Sequence, residues 1–275
     1  MKKLIALMMA ALMLFAVAGC AQQTQKEAAD NQTGQQTQKK EVLVMGTNAE
    51  FPPFEYKENN EIVGFDIEIA KIIAEELGME LKIEDMAFDG LLPALQSGKV
   101  DFVIAGMTVD EERKKNVDFS ESYFNASQVI IVKKEGSAVK SKDDLSGKKV
   151  GVQIGTTGDA YLTENHPDVE VVRFQKGADA IMELKNGKCD AVVIDANPAK
   201  VFVEKNSDLT LLEEQLTEEE YAIAVKKGSE LKAQIDEILQ KIKSDGRYDE
   251  IYAKYFPEET EETSNETEEG ASQTE

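Results

Sequence analysis

Apolar residues recur along residues 41–256 in two alternating patterns, short continuous runs and runs spaced by three or four positions. The continuous runs of the first half predict buried strands at residues 42–46, 81–83 and 100–105. The helix-like spacing in the same half is carried by Ile69, Ile72, Ile73 and Leu77. Asp66 stands where it can cap this helix, and Gly78 stands where it can end it. Alternation of this kind predicts a mostly parallel sheet covered by helices.

The same order of elements restarts near residue 149. Continuous apolar runs predict further strands at residues 149–154, 169–174 and 191–194. Two more apolar segments, 128–133 and 221–225, lie where the chain would cross between the two units. We therefore predict an α/β protein of two lobes joined by a two-strand hinge, each lobe a mostly parallel sheet flanked by helices. The predicted boundaries are 41–128 plus 224–256 for lobe 1 and 129–223 for lobe 2.

The N-terminus has the pattern of an export signal. Lys2 and Lys3 precede an apolar run, which ends in Val-Ala-Gly-Cys at 17–20. This tetrapeptide resembles a bacterial lipobox, which implies cleavage before Cys20, lipidation of its thiol, and an exported chain anchored to the cell membrane. The alternative is an ordinary secretory signal with a chance cysteine. Residues 1–20 are therefore predicted to be a signal peptide.

Both flanks of the predicted lobes are polar. Residues 21–40 contain almost no apolar side chains, so we predict a flexible linker. Residues 257–275 contain eight Glu and no Lys or Arg, and they supply part of the net charge of −22. We predict a disordered acidic tail there. The acidic balance of the whole chain argues against nucleic acid as a partner.

Candidate binding chemistry follows the third predicted strand. Gly106 and Thr108 stand where backbone N–H groups and a hydroxyl become free at the strand end. Arg113 comes five residues after Thr108, and its guanidinium can contact both oxygens of a carboxylate at once. This combination predicts a carboxylate receptor. The alternative is a surface arginine in a basic helix start, because Lys114 and Lys115 follow it.

Six segments in order resemble the amino-acid-binding branch of the bacterial solute-binding proteins, family 3, which serve ABC importers. They are Gly-Thr-Asn-Ala-Glu-Phe-Pro-Pro-Phe-Glu-Tyr (46–56), Val-Gly-Phe-Asp (63–66), Phe-Asp-Gly-Leu-Leu-Pro-Ala-Leu (88–95), Gly-Met-Thr-Val-Asp-Glu-Glu-Arg (106–113), Gly-Thr-Thr-Gly (155–158) and Asp-Ala-Val-Val-Ile-Asp (190–195). The resemblance covers residues 41–256. It implies a two-lobed clamp that closes on an L-amino acid, with an ABC permease and its ATPase as partners. No cofactor and no metal are expected.

The resemblance also assigns roles to single residues. Arg113 would hold the ligand carboxylate, helped by Thr108 and by backbone amides near Gly106 and Thr157. Asp195, from the other lobe, would hold the ligand ammonium group. A cationic and an anionic group on opposite lobes would select a zwitterion. The alternative for Asp195 is a helix N-cap after a strand.

Phe51 and Phe88 would form walls around the ligand side chain, and their alternative is ordinary core packing. Asn48, Glu50 and Gln153 stand where the family varies, and they favour a polar amino acid, with basic ligands such as arginine slightly ahead of glutamine and with cystine possible. The full set of predicted ligand-binding residues is Asn48, Glu50, Phe51, Phe88, Gly106, Met107, Thr108, Arg113, Gln153, Thr156, Thr157 and Asp195.

Three other functions remain open from the sequence. An enzyme resembling cyclohexadienyl dehydratases would need a poised acid or base, for which Glu50 is the one weak candidate. The same clamp could serve a sensor, or its lobes could serve as the scaffold of a surface lipoprotein. The prediction that we carry forward is a binding protein without catalytic activity.

Overall fold

The computed structural model describes residues 41–257. The predicted signal peptide, the lipidation site at Cys20, the linker and all but the first residue of the predicted acidic tail lie outside the described residues. Among the residues that are described, no helix is long and apolar enough to cross a membrane.

Thirteen strands and eight α-helices make up the described chain. The strands are β1 Val42–Thr47, β2 Glu50–Phe51, β3 Glu55–Glu58, β4 Glu61–Val63, β5 Glu80–Asp85, β6 Phe102–Val103, β7 Val117–Ala126, β8 Gln128–Lys133, β9 Lys149–Gln153, β10 Glu170–Phe174, β11 Ala191–Asp195, β12 Leu209–Leu211 and β13 Glu219–Lys226. The helices are α1 Phe65–Glu76, α2 Leu91–Ser97, α3 Glu111–Lys114, α4 Thr157–Asn165, α5 Gly177–Lys185, α6 Ala196–Glu204, α7 Leu231–Ser244 and α8 Arg247–Tyr255.

Two five-stranded sheets have the same topology, which is the repeat that the sequence predicts. The first has the order β5-β1-β6-β13-β7 and the second the order β10-β9-β11-β8-β12. Three strands of each sheet are parallel neighbours, the fourth runs against them, and the fifth is antiparallel to the fourth. Four of the five strands therefore point the same way, as predicted. We call the elements around the first sheet lobe 1 and those around the second sheet lobe 2.

Helices cover both faces of each sheet, so the central strands are buried throughout. In β11, Val192 and Ile194 belong to the apolar cluster that contains Leu184 of α5. The alternate residue Val193 belongs to the cluster that contains Leu162 of α4. Burial on both faces explains why this strand reads as a continuous apolar run in the sequence.

The chain crosses between the lobes twice. It leaves lobe 1 at the end of β7 and enters lobe 2 directly at Gln128. It returns before β13, which pairs with β7 from Glu219 onward. The return to the first sheet therefore begins five residues earlier than the predicted boundary at 224.

Asp66 differs from the prediction. The helix α1 begins at Phe65, its N-cap position is Gly64, and no side chain caps it. Asp66 is fully buried in the first turn, and its Oδ2 accepts hydrogen bonds from the Gly106 N–H at 2.8 Å and the Tyr123 hydroxyl at 2.9 Å. The prediction of a capping role was wrong because the carboxylate faces the core, where two donors from distant segments bind it.

We expect Gly64→Ala to destabilise the fold by about 3 kcal/mol or more. Gly64 has φ of 137°, and a Cβ atom there would lie 2.0 Å from the carbonyl oxygen of Phe54. Urea denaturation measures the free energy of unfolding. Gly136→Ala is the matched control, since Gly136 has φ of 74° with no atom within 4 Å of an added Cβ. The control should lose only about 1 kcal/mol, and equal losses would contradict the account of Gly64.

Candidate functional site

The carboxyl ends of the parallel strands of both lobes meet around one small cavity, of about 10 Å³ in this conformation. In α/β sheets this end of the strands is where ligands bind. The lining residues are Asn48, Phe51, Glu55, Phe88, Ala105, Gly106, Thr108, Arg113, Gln153, Thr156, Thr157 and Asp195. Ten of the twelve predicted residues are in this set, and Glu50 and Met107 are not. Glu55 and Ala105 line the cavity without having been predicted.

The guanidinium of Arg113 is fixed by groups from both lobes. Its Nη1 donates to the Thr108 carbonyl at 2.6 Å, and its Nη2 donates to the Gly155 carbonyl of lobe 2 at 3.0 Å. Its Nε lies 3.1 Å from the carboxylate of Asp110, which also caps α3. The guanidinium carbon lies 5.5 Å from the ring centroid of Phe88. Burial lowers the pKa of Arg113, and the negative charges of Asp110, Asp195 and Glu219 oppose that effect.

Asp195 lies at the end of β11, where its side chain is only 4% exposed. It occupies the N-cap position of α6, but its carboxylate makes no capping hydrogen bond. The Tyr221 hydroxyl of lobe 1 donates to it instead. Burial, followed by the charge of Glu219, raises the pKa of Asp195 to about 7. A cationic group beside it would favour its ionised form.

The N-terminus of α4 faces the cavity between these two charges. Thr156 caps this nine-residue helix, accepting the Asp159 N–H at 3.4 Å. The Thr157 and Thr108 hydroxyls, which line the cavity from different lobes, both donate to the carboxylate of Glu219. The predicted help of Thr108 to a carboxylate would therefore come from its backbone, because its hydroxyl proton is already engaged.

Two aromatic rings form walls of the cavity, as the resemblance implies. Phe51 is stacked on Phe54 at a centroid distance of 6.0 Å, and Phe88 lies under Arg113. Gly106 permits this arrangement: its φ is 50°, and an added Cβ would lie 2.8 Å from the ring of Phe51.

Asn48 and Gln153 connect the lobes to each other. The Gln153 Nε2 donates to the Asn48 Oδ1 at 2.9 Å and to the Gln175 carbonyl at 3.2 Å. The Asn48 Nδ2 donates to the Met86 carbonyl at 3.0 Å. Both amides are buried, so in this conformation they hold the lobes together across the cleft.

The other two predicted residues point away from the cavity. The Glu50 carboxylate pairs with Lys176 of lobe 2 at the cleft rim, where the Lys176 side chain is half exposed. Met107 is 1% exposed and packs in the apolar cluster that contains Leu91 of α2. Both side chains extend from neighbours of cavity-lining residues, and the alternation along an extended chain turns them to other surroundings.

Glu55 is the acidic residue that sequence reasoning missed. It is fully buried at the start of β3, it lines the cavity, and neither carboxyl oxygen receives a donor from the described residues. Burial raises its pKa well above the ordinary value, and the adjacent Asp66 carboxylate raises it further. The sequence feature that could have indicated Glu55 is its position between two aromatic residues, Phe54 and Tyr56, in the Pro-Pro-Phe-Glu-Tyr segment.

Comparison with known proteins matches this architecture to one family. The family model for bacterial extracellular solute-binding proteins, family 3, matches residues 43–258. The chain belongs to this family. It is 36% identical to the arginine-binding extracellular protein ArtP of Bacillus subtilis, over 93% of this chain and 98% of that protein. It is 39% identical to the ABC transporter glutamine-binding protein GlnH of the same organism, over 94% and 99%.

A solved structure gives the same fold. A mutant of ArgBP from T. maritima is 50% identical to this family 3 protein and superposes with a TM-score of 0.76, over 78% of this chain and 95% of that one. The predictions of the family and of a two-lobed α/β fold are thereby confirmed. The matched relatives are solute-binding proteins, and the family acts outside the cytoplasm.

Proposed function

We propose that this protein binds a polar L-amino acid between its lobes, arginine ahead of glutamine, and delivers it to the permease of an ABC importer. One observation carries the proposal: Arg113 of lobe 1 and Asp195 of lobe 2 line the same cavity with opposite charges. A zwitterionic ligand carries a negative group for Arg113 and a positive group for Asp195. The relatives described as arginine-binding and glutamine-binding support this class of ligand.

The ligand carboxylate would lie between the Arg113 guanidinium and the N-terminus of α4, where unpaired N–H groups and the helix dipole favour an anion. The ammonium group would lie at Asp195. Because these groups belong to different lobes, a ligand contacts all of them only when the lobes are closed. Binding would therefore shift the open–closed equilibrium toward the closed form.

Glu55 supports arginine over glutamine. It is a buried acid on the cavity wall with no donor from the described residues. A guanidinium would supply donors and a positive charge, which compensate for burial of the carboxylate. An uncharged amide would supply donors only.

We propose lipidation at Cys20, membrane attachment through it, a partner ATPase, and no catalytic activity. For the lobes, the start of β13 supports moving the second boundary, so that lobe 2 spans residues 129–218. The two crossings would act as the hinge.

A second candidate is an enzyme resembling a cyclohexadienyl dehydratase. The observation in its favour is again Glu55, a cavity acid whose pKa is raised well above its ordinary value by burial. An assay with a panel of prephenate-like substrates distinguishes the two functions. Turnover by the unaltered protein that is lost in Glu55→Gln would show that the protein is an enzyme and not a binding protein.

We expect Arg113→Ala to weaken amino-acid binding about 100-fold, because a buried charge-assisted pair is lost. Calorimetry with arginine and with glutamine measures the change. Arg247→Ala is the control, since Arg247 pairs with Asp245 and Glu76 on the outside of lobe 1. It should keep the affinity of the unaltered protein. If the Arg113→Ala variant binds with the affinity of the unaltered protein, Arg113 does not bind the ligand.

We expect the affinity for the amino acid to decrease as the pH is lowered below about 7. The pKa of Asp195 is about 7, and the ligand ammonium group needs the ionised carboxylate. Below that pKa, binding must release a proton, so Kd should rise up to about tenfold per pH unit. Calorimetry from about pH 5.5 to about pH 8.5 measures this linkage. Asp66, with a pKa of about 6, titrates in the same window. Asp195→Asn therefore serves as the control and should lose most of the slope; an unchanged slope would contradict the assignment.

We expect Glu55→Gln to weaken arginine binding about tenfold or more and glutamine binding only slightly, because only arginine brings a charge to Glu55. The ratio of the two dissociation constants is the measured quantity. Glu50→Gln makes the same charge change at the cleft rim and should leave the ratio unchanged. Equal loss for both ligands would assign Glu55 a structural role.

A further inference from the structure

Glu219, at the start of β13, accepts hydrogen bonds from four side chains. Its Oε2 accepts from the Thr108 hydroxyl at 2.6 Å, the Thr157 hydroxyl at 2.9 Å and the Gln128 Nε2 at 3.4 Å. Its Oε1 accepts from the Thr217 hydroxyl at 2.7 Å. Four neutral donors therefore bind this one carboxylate, three of them at Oε2.

These donors come from both lobes and from both crossings. Thr108 follows β6 of lobe 1, and Thr157 begins α4 of lobe 2. Gln128 begins β8 at the first crossing, and Thr217 lies in the second crossing, just before β13. Glu219 is thus the point at which the two lobes and the two hinge segments are hydrogen-bonded to one group.

The donors to this carboxylate are also hydrogen-bonded to one another. The Gln128 N–H donates to the Thr217 hydroxyl at 2.9 Å, and its Nε2 also donates to Thr157 at 3.0 Å. Gln128 is fully buried, and its Oε1 lies 2.8 Å from the position that a Cβ of Gly158 would occupy. With no side chain at Gly158, the amide can lie against the start of α4.

Glu219 itself does not line the ligand cavity. It lines a groove on the hinge side, and Thr108 and Thr157 separate that groove from the cavity. Each threonine hydroxyl has one proton, which it gives to Glu219, so the oxygen lone pairs and the methyl groups have fixed directions at the cavity wall. Loss of Glu219 would release the Thr108 hydroxyl and leave the Thr157 hydroxyl bound by Gln128 alone.

The geometry points to a role that rests on the proposed binding function. We propose that Glu219 is a positioning residue that stabilises the closed form, by binding Thr108 of lobe 1 and Thr157 of lobe 2 to the same carboxylate oxygen. Separation of the lobes carries these two hydroxyls apart, so the full set of hydrogen bonds exists only on closure. Because the ligand binds the closed form, Glu219 increases affinity for every ligand by a common factor.

Glu219→Gln tests this role, and Glu220→Gln is the matched control. Glu220 is the next residue in β13, exposed, and its change removes the same charge. We expect Glu219→Gln to raise Kd for arginine and for glutamine by the same factor, about tenfold or more, mainly through faster dissociation. Calorimetry and stopped-flow fluorescence measure these quantities. The control should stay within about twofold of the unaltered protein.

A common factor distinguishes positioning from ligand contact. Unchanged affinity of Glu219→Gln would overturn the proposal, and so would a loss confined to one ligand, which would make Glu219 a contact residue. Small-angle scattering adds a separate readout: at a fixed, subsaturating ligand concentration, the variant should be less compact than the control. Equal compaction would also overturn the proposal.

A second variant keeps the test valid if Glu219→Gln folds poorly by circular dichroism. Thr217→Val removes the donor to Oε1 without touching a cavity-lining residue, and it should also weaken both ligands by a common, smaller factor. If Thr217→Val binds with the affinity of the unaltered protein, the hydrogen bonds to Glu219 do not contribute to ligand binding. If the unaltered protein binds no amino acid, the proposed function fails; if it binds and both variants match it, only the role of Glu219 fails.

Discussion

A charged group buried away from water needs compensation, and this constraint organises the cavity. Arg113 has lost most of its contact with solvent, and carbonyl oxygens of both lobes together with Asp110 surround it. Asp195 is buried with less compensation, since its direct donor is the Tyr221 hydroxyl, and its pKa is accordingly raised to about 7. On the proposed function, a zwitterionic ligand would supply an anion beside Arg113 and a cation beside Asp195.

The contacts that join the lobes without a ligand are individually weak. The pair of Glu50 and Lys176 lies at the rim, where solvent screens it. The hydrogen bond between Asn48 and Gln153 joins two neutral amides. Closure therefore depends on small differences in free energy. That balance suits a clamp that must also open and release its ligand.

Sequence periodicity predicted the two repeated α/β units because their central strands are buried on both faces and their helices bury one stripe. It did not predict β7, in which two irregularities of pairing opposite Ala222 interrupt the alternation of buried and exposed side chains. Arg113 was predictable because it follows a recognisable strand end, whereas the role of Asp195 was implied by the family resemblance. Glu50 lies outside the cavity lining because adjacent residues on an extended segment face opposite directions, which the sequence alone leaves open.

Glu219 was beyond sequence reasoning for a physical reason. It lies 111 residues from Thr108 and 62 from Thr157 along the chain, so only the folded molecule brings the three together. Local patterns record propensity and strand ends, and they do not record contacts that form between lobes. Glu55 was missed on the same grounds, because its burial depends on elements that pack from several directions.

The loop that carries the lobe 1 part of the site is held at both ends by acids. At one end, the buried Asp66 carboxylate binds the Gly106 N–H and so supports the turn at the end of β6. At the other end, Glu219 binds the Thr108 hydroxyl from the hinge. Arg113 follows this loop and donates to the Thr108 carbonyl, so its position depends on both acids. Arg113 is thereby connected through two short hydrogen bonds to Glu219, and on the proposed roles of these residues closure and ligand recognition would depend on one hydrogen-bonded structure.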